Sequence, residues 1–266
     1  MTETALADID RERRFGGLRR LWGDDGAQAC AAAHVVVVGI GGVGSWAAEA
    51  LARSGVGALT LIDLDNVAES NVNRQIHATS NTLGMAKVQA MTDRILSFHP
   101  TCRVLGIEEF LTAENIHTLL GDVQRVAGPV HAMLDACDQV KAKVAMAAWA
   151  RQAEVVHVTV GAAGGKLHAQ RVEVEDLAMV SHDPLLARMR QSLRKFHGYP
   201  SQGKAMKVRC VFSREPVRPP VAACLPAGEA DGSLNCHGYG SVVTVTATFG
   251  MTAAGVVLNA LAGMAR

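Results

Sequence analysis

Apolar and polar positions come in blocks along the first two thirds of this chain. Val35-Val36-Val37-Val38 is continuous, β-branched and stopped by Gly39, the composition of a strand buried on both faces. Ser45 to Ala52 reads as a helix that ends near Gly55, and Ala58 to Asp63 as the next strand. From Met85 to Phe98 the apolar residues fall at Met85, Val88, Met91, Ile95 and Phe98, a helical spacing closed by Pro100. Strands are expected at Cys102–Ile107, His131–Ala136 and Val155–Val160, with a helix from Lys141 to about Gln152 before the last.

This alternation predicts an α/β chain, a Rossmann-like, doubly wound and mostly parallel sheet with helices on both faces. The alternation fades after residue 165. A helix near Asp183–Phe196, a strand near Lys207–Phe212, a Pro-rich turn and an apolar C-terminal run then predict a mixed α+β extension. Residues 1–13 are expected as a flexible polar lead. Residues 14–165 form the nucleotide-binding part, and 166–266 a substrate-binding and dimer-core region of the same domain.

The glycine loop is where the chemistry starts. Gly39-Ile40-Gly41-Gly42-Val43-Gly44 follows a strand and precedes a helix. The first glycine allows a tight turn, the second lets phosphate approach the backbone, and the third lets helix and strand pack closely. The helix N-terminus then offers free N–H groups to an anion. Asp63 ends the next strand, near the spacing of a ribose-binding acid. Taken alone, these features fit a nicotinamide dehydrogenase.

Several polar residues shift that reading to ATP. The loop Asp63 to Gln75 carries Asp65, Asn71, Asn73 and Arg74, and a guanidinium donates several charge-assisted bonds to phosphate oxygens. Lys87, about one turn into the following helix, adds a compact positive charge. Asp135 and Asp138 sit at a strand's C-terminal end, where two carboxylates suit Mg²⁺ beside phosphate oxygens. Each residue alone also has a plainer reading: Asn71 as a turn former, Lys87 as a solvated helix face, Asp138 as a helix N-cap.

In combination, Gly39 to Ser45, Asp63-Leu64-Asp65, Asn71-Val72-Asn73-Arg74-Gln75, Lys87 and Asp135 to Asp138 resemble the ubiquitin-activating-enzyme-like adenylating family. The resemblance implies ATP and Mg²⁺ as cofactors. Gly39, Gly41, Gly42 and Gly44 would hold the nucleotide and Asp63 its ribose. Asn71, Arg74 and Lys87 would hold the phosphates and Asp138 the metal, with Asp65 and Gln75 also counted among the cofactor-binding residues. Arg74, Lys87 and Asp138 would then carry the adenylation of a carboxylate.

Two departures narrow the resemblance. The paired CxxC zinc cysteines of the sulfur-carrier activators are absent, since no two of the six cysteines form such a pair. Where the family has an arginine that reaches into a neighbouring subunit's site, this chain has Gly17 within Arg14-Phe15-Gly16-Gly17; Arg14 or Arg20 would take that part. With Asn73 to Ala78 and Val242 to Gly250, these features resemble the branch that cyclises threonylcarbamoyladenosine beside the tRNA anticodon. That implies a homodimer with tRNA as partner. The alternatives are activation of a sulfur-carrier or ubiquitin-like protein, or a sulfur acceptor that partners a cysteine desulfurase. The last would work through Cys236, a thiol beside His237.

Charge and composition then bear on partners and location. The net charge of +1 excludes a chain that is basic throughout but leaves room for a local patch. Arg188, Arg190, Arg194, Lys195, Lys204, Lys207 and Arg209 make such a patch, extended by Arg214 and Arg218 against Glu215 alone. It reads as a solvated surface or as a tRNA phosphate footprint, and the resemblance favours the second. Aromatic residues at 4% argue against stacking platforms for single-stranded nucleic acid. The N-terminus has no apolar signal-peptide core, so the cytoplasm is expected. Residues 241–264 carry no charge and have the length of a membrane span. A buried helix near the dimer core is the preferred reading, with membrane association as the alternative.

Overall fold

No residue of the first strand, β1 (His34–Val38), is exposed, and the same holds for β2 (Ala58–Ile62) and β4 (Ala132–Asp135). That burial follows from their continuous apolar character, which leaves neither face suited to water. They form the centre of a seven-stranded sheet with β3 (Arg103–Ile107), β5 (Val156–Val160), β6 (Val172–Asp176) and β7 (Arg209–Ser213). The order across it is β3-β2-β1-β4-β5-β7-β6. All pairings are parallel except β6 with β7. Val38 lies opposite Ile62 on one side and Asp135 on the other, so three strand ends line up. The computed structural model describes residues 10–201, 203–219 and 239–264.

Seven helices are described: α1 (Arg11–Ala32), α2 (Gly44–Arg53), α3 (Lys87–Phe98), α4 (Ile116–Ala127), α5 (Val140–Gln152), α6 (Pro184–Phe196) and α7 (Val243–Leu261). One face of the sheet presents Val35, Val37, Leu59 and Leu61 to Leu51, Met91, Ile95 and Phe249 of α2, α3 and α7. The other presents Val36, Val38 and Met133 to Leu120 and Val123 of α4 and Met146 and Trp149 of α5. Beyond α5, α6 buries Leu186, Met189 and Leu193 against Cys210 and Phe212 of β7.

Where the structure differs from the sequence expectation, the reasons are physical. The lead does not run to residue 13, because α1 begins at Arg11, capped by the Asp10 side chain, which accepts from the Arg13 N–H; residues 1–9 lie outside the described part. This helix buries only Gly16, Gly26 and Cys30 and breaks at Gly23, where φ is 73°, so it carries no apolar stripe to read. By contrast α4 buries Ile116, Leu120 and Val123 at helical spacing, a signal that was there to find. Likewise Val172-Glu173-Val174-Glu175 alternates, as an edge strand does. Lys87 is the first residue of α3 rather than a turn inside it. Ala86 stays extended because it bridges Asn66.

The uncharged C-terminal run is α7, long and apolar enough to span a membrane by length and composition. Somewhat less than half of it, 44%, is buried against the protein itself. Val245, Phe249, Ala253, Ala254 and Val257 are fully buried. Gly250 meets α2 so closely that a Cβ there would stand 2.4 Å from the Val43 carbonyl oxygen.

Candidate active site

In the sheet order, β1 continues through α2 to β2 on one side, while β4 lies on the other. Such a switch point opens a crevice beyond the strands' C-terminal ends. The glycine loop fills its rim. Gly39 has φ 84°, and a Cβ on it would meet the backbone of Ala136 and Cys137 at 3.0 Å. A Cβ on Gly44 would lie 1.8 Å from the Gly39 carbonyl oxygen, so helix and strand cannot pack this closely with any other residue. Gly41 has no heavy atom within 4 Å of where its Cβ would be. The three glycines therefore divide as turn, open approach and contact, and the open one faces the crevice where a phosphate would sit.

Asp63 anchors the second side. One carboxylate oxygen accepts from the Ile40 N–H at 2.6 Å and the other from the Asp65 N–H at 2.9 Å, tying the glycine loop to the end of β2. Burial holds its carboxyl above the usual range, against the pull of Lys87. The Lys87 ammonium lies 2.6 Å from Asp65 and 4.0 Å from Asp63, and its backbone N–H donates to the Asp65 carbonyl. A buried lysine held between two carboxylates at a helix start is a fixed cation aimed at the crevice.

The loop between them is tightly self-bonded. The Asn71 Oδ1 accepts from the Ala68 N–H. The Arg74 guanidinium donates to the Ser70 carbonyl and the Asn73 Oδ1, and the Trp46 Nε1 donates to the Arg74 carbonyl. The Arg74 stem crosses Gly42, where an added Cβ would meet it at 3.2 Å. In this form Asn71 shapes the loop, and Arg74 is half-buried beside the glycines.

Several buried polar atoms here have no partner among the described residues: the Ser45 Oγ, the Gln75 Oε1 and both ring nitrogens of His77. Burial, with Lys87 and Arg94 adding to it, pushes His77 down to about 4. Unpartnered buried polar atoms are costly unless something completes them, and a polar ligand in the crevice does that for groups facing it. Of these, Ser45 and His77 fall inside the runs Gly39–Ser45 and Asn73–Ala78 that carry the family resemblance, but for neither was a role of its own legible in the sequence.

The two acids at the end of β4 part company. Asp135 is fully buried and spent. Its carboxylate pairs with the Lys143 ammonium at 3.0 Å and accepts from the Thr159 hydroxyl at 2.6 Å. The Cys137 N–H and thiol also donate to it. The expectation that it would join Asp138 as a second metal carboxylate is thereby corrected: its charge is already neutralised inside the fold. Asp138 is half-buried, with no hydrogen bond or ion pair among the described residues. That leaves both oxygens for a hard cation.

Other expected residues lie elsewhere. Arg14 donates to the Phe98 carbonyl, at the end of α3 opposite Lys87 and about 16 Å from it along the helix. Arg14 is thereby held away from the crevice of its own chain. Arg20 is exposed on α1. Among the basic residues, Arg190 donates to the carbonyls of Leu177 and Val180 and Arg194 to that of Pro200. These two therefore brace the fold, while Arg188, Lys195, Lys204, Lys207 and Arg209 are exposed. Cys236 and His237 lie outside the described residues.

Residues 16–266 match the ThiF family. Among curated proteins, the chain is 42% identical over 255 residues to the tRNA threonylcarbamoyladenosine dehydratase of Escherichia coli K12, covering 93% of this chain and 92% of that one. It is 37% identical to the Haemophilus influenzae protein of the same name, over 97% of each. The crystal structure of the E. coli enzyme in complex with ATP superposes with a TM-score of 0.82 at 39% identity, covering 94% of both chains. Its complex with AMP gives 0.81 at 40%.

Proposed function

This chain belongs to the ThiF family, and we propose that within it the chain is an ATP-dependent tRNA-modifying enzyme that dehydrates threonylcarbamoyladenosine beside the anticodon. The crevice at Gly41 carries the reading. It is an open backbone corner next to a fixed lysine and unsatisfied buried polar atoms, which suits a triphosphate rather than a nicotinamide and a ribose alone.

In this reading ATP enters with its phosphates over Gly41 and the α2 N-terminus, and its ribose toward Asp63. Lys87 and Arg74 neutralise the phosphate oxygens. The carboxylate of the threonylcarbamoyl side chain attacks the α-phosphorus and pyrophosphate leaves. The side chain's own carbamoyl group then attacks the acyl-adenylate, AMP leaves and a ring closes, for a net loss of one water. The second nucleophile is tethered to its target, so proximity supplies much of the rate. Catalysis by the protein is then charge stabilisation by preorganised donors. Asp138 fits Mg²⁺, which would supply further charge neutralisation at the phosphates.

The enzyme is read as a cytoplasmic homodimer, in which Arg14 or Arg20 of one copy serves the crevice of the other. A role for Cys236 in sulfur transfer belongs to the alternative reading, with a cysteine desulfurase as partner.

The deciding experiment is AMP release from ATP with tRNA carrying or lacking threonylcarbamoyladenosine. Release that needs the modified base, with a one-water loss in the nucleoside mass, is expected. Lys87→Ala and Asp138→Ala should each lower it by at least about 100-fold, the usual scale for removing one transition-state charge contact. Release driven instead by a carrier protein ending in Gly-Gly would overturn the reading in favour of carrier activation.

A further inference from the structure

Lys195, Lys207 and Arg209 are exposed toward the end of the sheet away from the crevice, whereas Arg214 and Arg218 follow β7 at its crevice end. Helix α6 starts beside the strand ends, where Asp183 accepts from the Ala162 N–H just past β5, and runs about 18 Å to Phe196 at the opposite end. There the Tyr199 hydroxyl donates to the Ala147 carbonyl of α5. Arg209 and Lys207 lie at this same far end, because β7 runs parallel to β5 and begins at Arg209.

This end has an open hollow. Ala148, Arg151, Gln152, His197, Gly198 and Tyr199 line a space of about 410 Å³. Its floor is rigid: Tyr199 is buried and hydrogen-bonded to α5, with the Arg151 guanidinium stacked 4.7 Å over its ring. Beside it stands Phe196, 68% exposed, with the Lys195 ammonium 4.9 Å over its ring. Phe196 continues the spacing of Leu186, Met189 and Leu193, but those three are buried in the core while Phe196 projects past it. Arg188 lies two helical turns back on the same face as Lys195. Between residues 184 and 214 the chain has no Asp or Glu.

An exposed aromatic ring among cations at a cleft lined by arginine and histidine matches nucleic acid. Phosphate pairs with the cations, and an unpaired base stacks on the ring. We infer that this far end is a second RNA-binding site, which holds a tRNA phosphate in the Arg151–His197 cleft and a base on Phe196, well away from the nucleoside that reacts at the crevice. The inference rests on tRNA being the substrate and adds that the enzyme grips it at two places.

The test compares a full-length tRNA with a short anticodon stem-loop, both carrying the modified adenosine. Phe196→Ala should raise KM for the full-length tRNA about 10-fold, within the range for losing one base–aromatic stack, with kcat unchanged and the stem-loop little affected. Lys195→Glu, at an exposed position, should do the same and also flatten the salt dependence of binding. Equal KM for parent and both variants on full-length tRNA overturns the inference and leaves the surface to an acidic protein partner. Failure of the activity itself is separable, because binding of unmodified tRNA to parent and variants tests this surface whether or not turnover occurs.

Discussion

Lys143 has no exposed surface and spends its ammonium on the Asp135 carboxylate, the Thr159 hydroxyl and the carbonyls of Asp135 and Val160. Taking one partner from such a pair strands the other charge in the interior. Lys143→Ala should therefore cost about 3–5 kcal/mol, read as a lower urea midpoint. Lys141→Ala, exposed two residues away, should stay within about 0.5 kcal/mol. His77 makes a pH prediction. The unfolded chain takes up its proton near pH 6.5, whereas in the fold the ring stays neutral down to about 4. Between those values the unfolded state binds more protons. Stability should then fall as pH drops through that window, by up to about 1.4 kcal/mol per pH unit from this one group. His77→Gln should reduce that slope in urea titrations between pH 7 and 5.

The glycine loop shows how one element carries both folding and function. Its three glycines are not equivalent, so substitutions at Gly41 and Gly44 should separate the two. Gly41→Ala adds a methyl to open space and should leave the melting temperature near the parent's while weakening ATP binding, where the phosphate comes against the backbone. Gly44→Ala drives a methyl into the Gly39 carbonyl and should destabilise the whole protein, because β1 and α2 must part to admit it. Calorimetric melting with and without ATP distinguishes these outcomes, and equal loss of stability in both variants would contradict the division of roles. At the same scale, α7 closes the core beneath the loop, with the Thr246 methyl 3.3 Å from where a Gly42 Cβ would stand. The apolar C-terminal run thereby supports the nucleotide end of the sheet.

At the scale of the whole molecule, α1 places Arg14 against the far end of α3, away from its own crevice. The proposed completion of the site by a second copy has a direct consequence. A protein carrying Arg14→Ala and Arg20→Ala, mixed and re-equilibrated with one carrying Lys87→Ala, should regain AMP release. Each mixed dimer then holds one crevice with both its lysine and the partner's arginines. If the arginines served their own chain, every crevice in the mixture would lack one group or the other and no activity would return.

Local patterns were enough to place much of this protein. The valine run, the Gly39–Gly44 spacing and the switches between apolar blocks and glycine stops read as a nucleotide-binding α/β sheet, because strand burial and turn geometry are set by a few adjacent residues. The motif from Asn71 to Gln75, with Lys87, identified the family for the same reason. The tertiary structure decided what depends on distant partners. Asp135 and Asp138, three residues apart and alike in sequence, became a sealed ion pair and a carboxylate without a partner among the described residues, because Lys143 and Thr159 arrive from other elements to claim only the first. Helix α1 was illegible because it is held by small buried residues and terminal contacts rather than by an apolar stripe. The basic stretch looked like one footprint in the chain, yet folding turned Arg190 and Arg194 inward as braces, carried Lys195, Lys207 and Arg209 toward the end of the sheet opposite the crevice, and left Arg214 and Arg218 at the crevice end. Charge is a property of residues, but which charges face water, and where, is settled only when the elements pack.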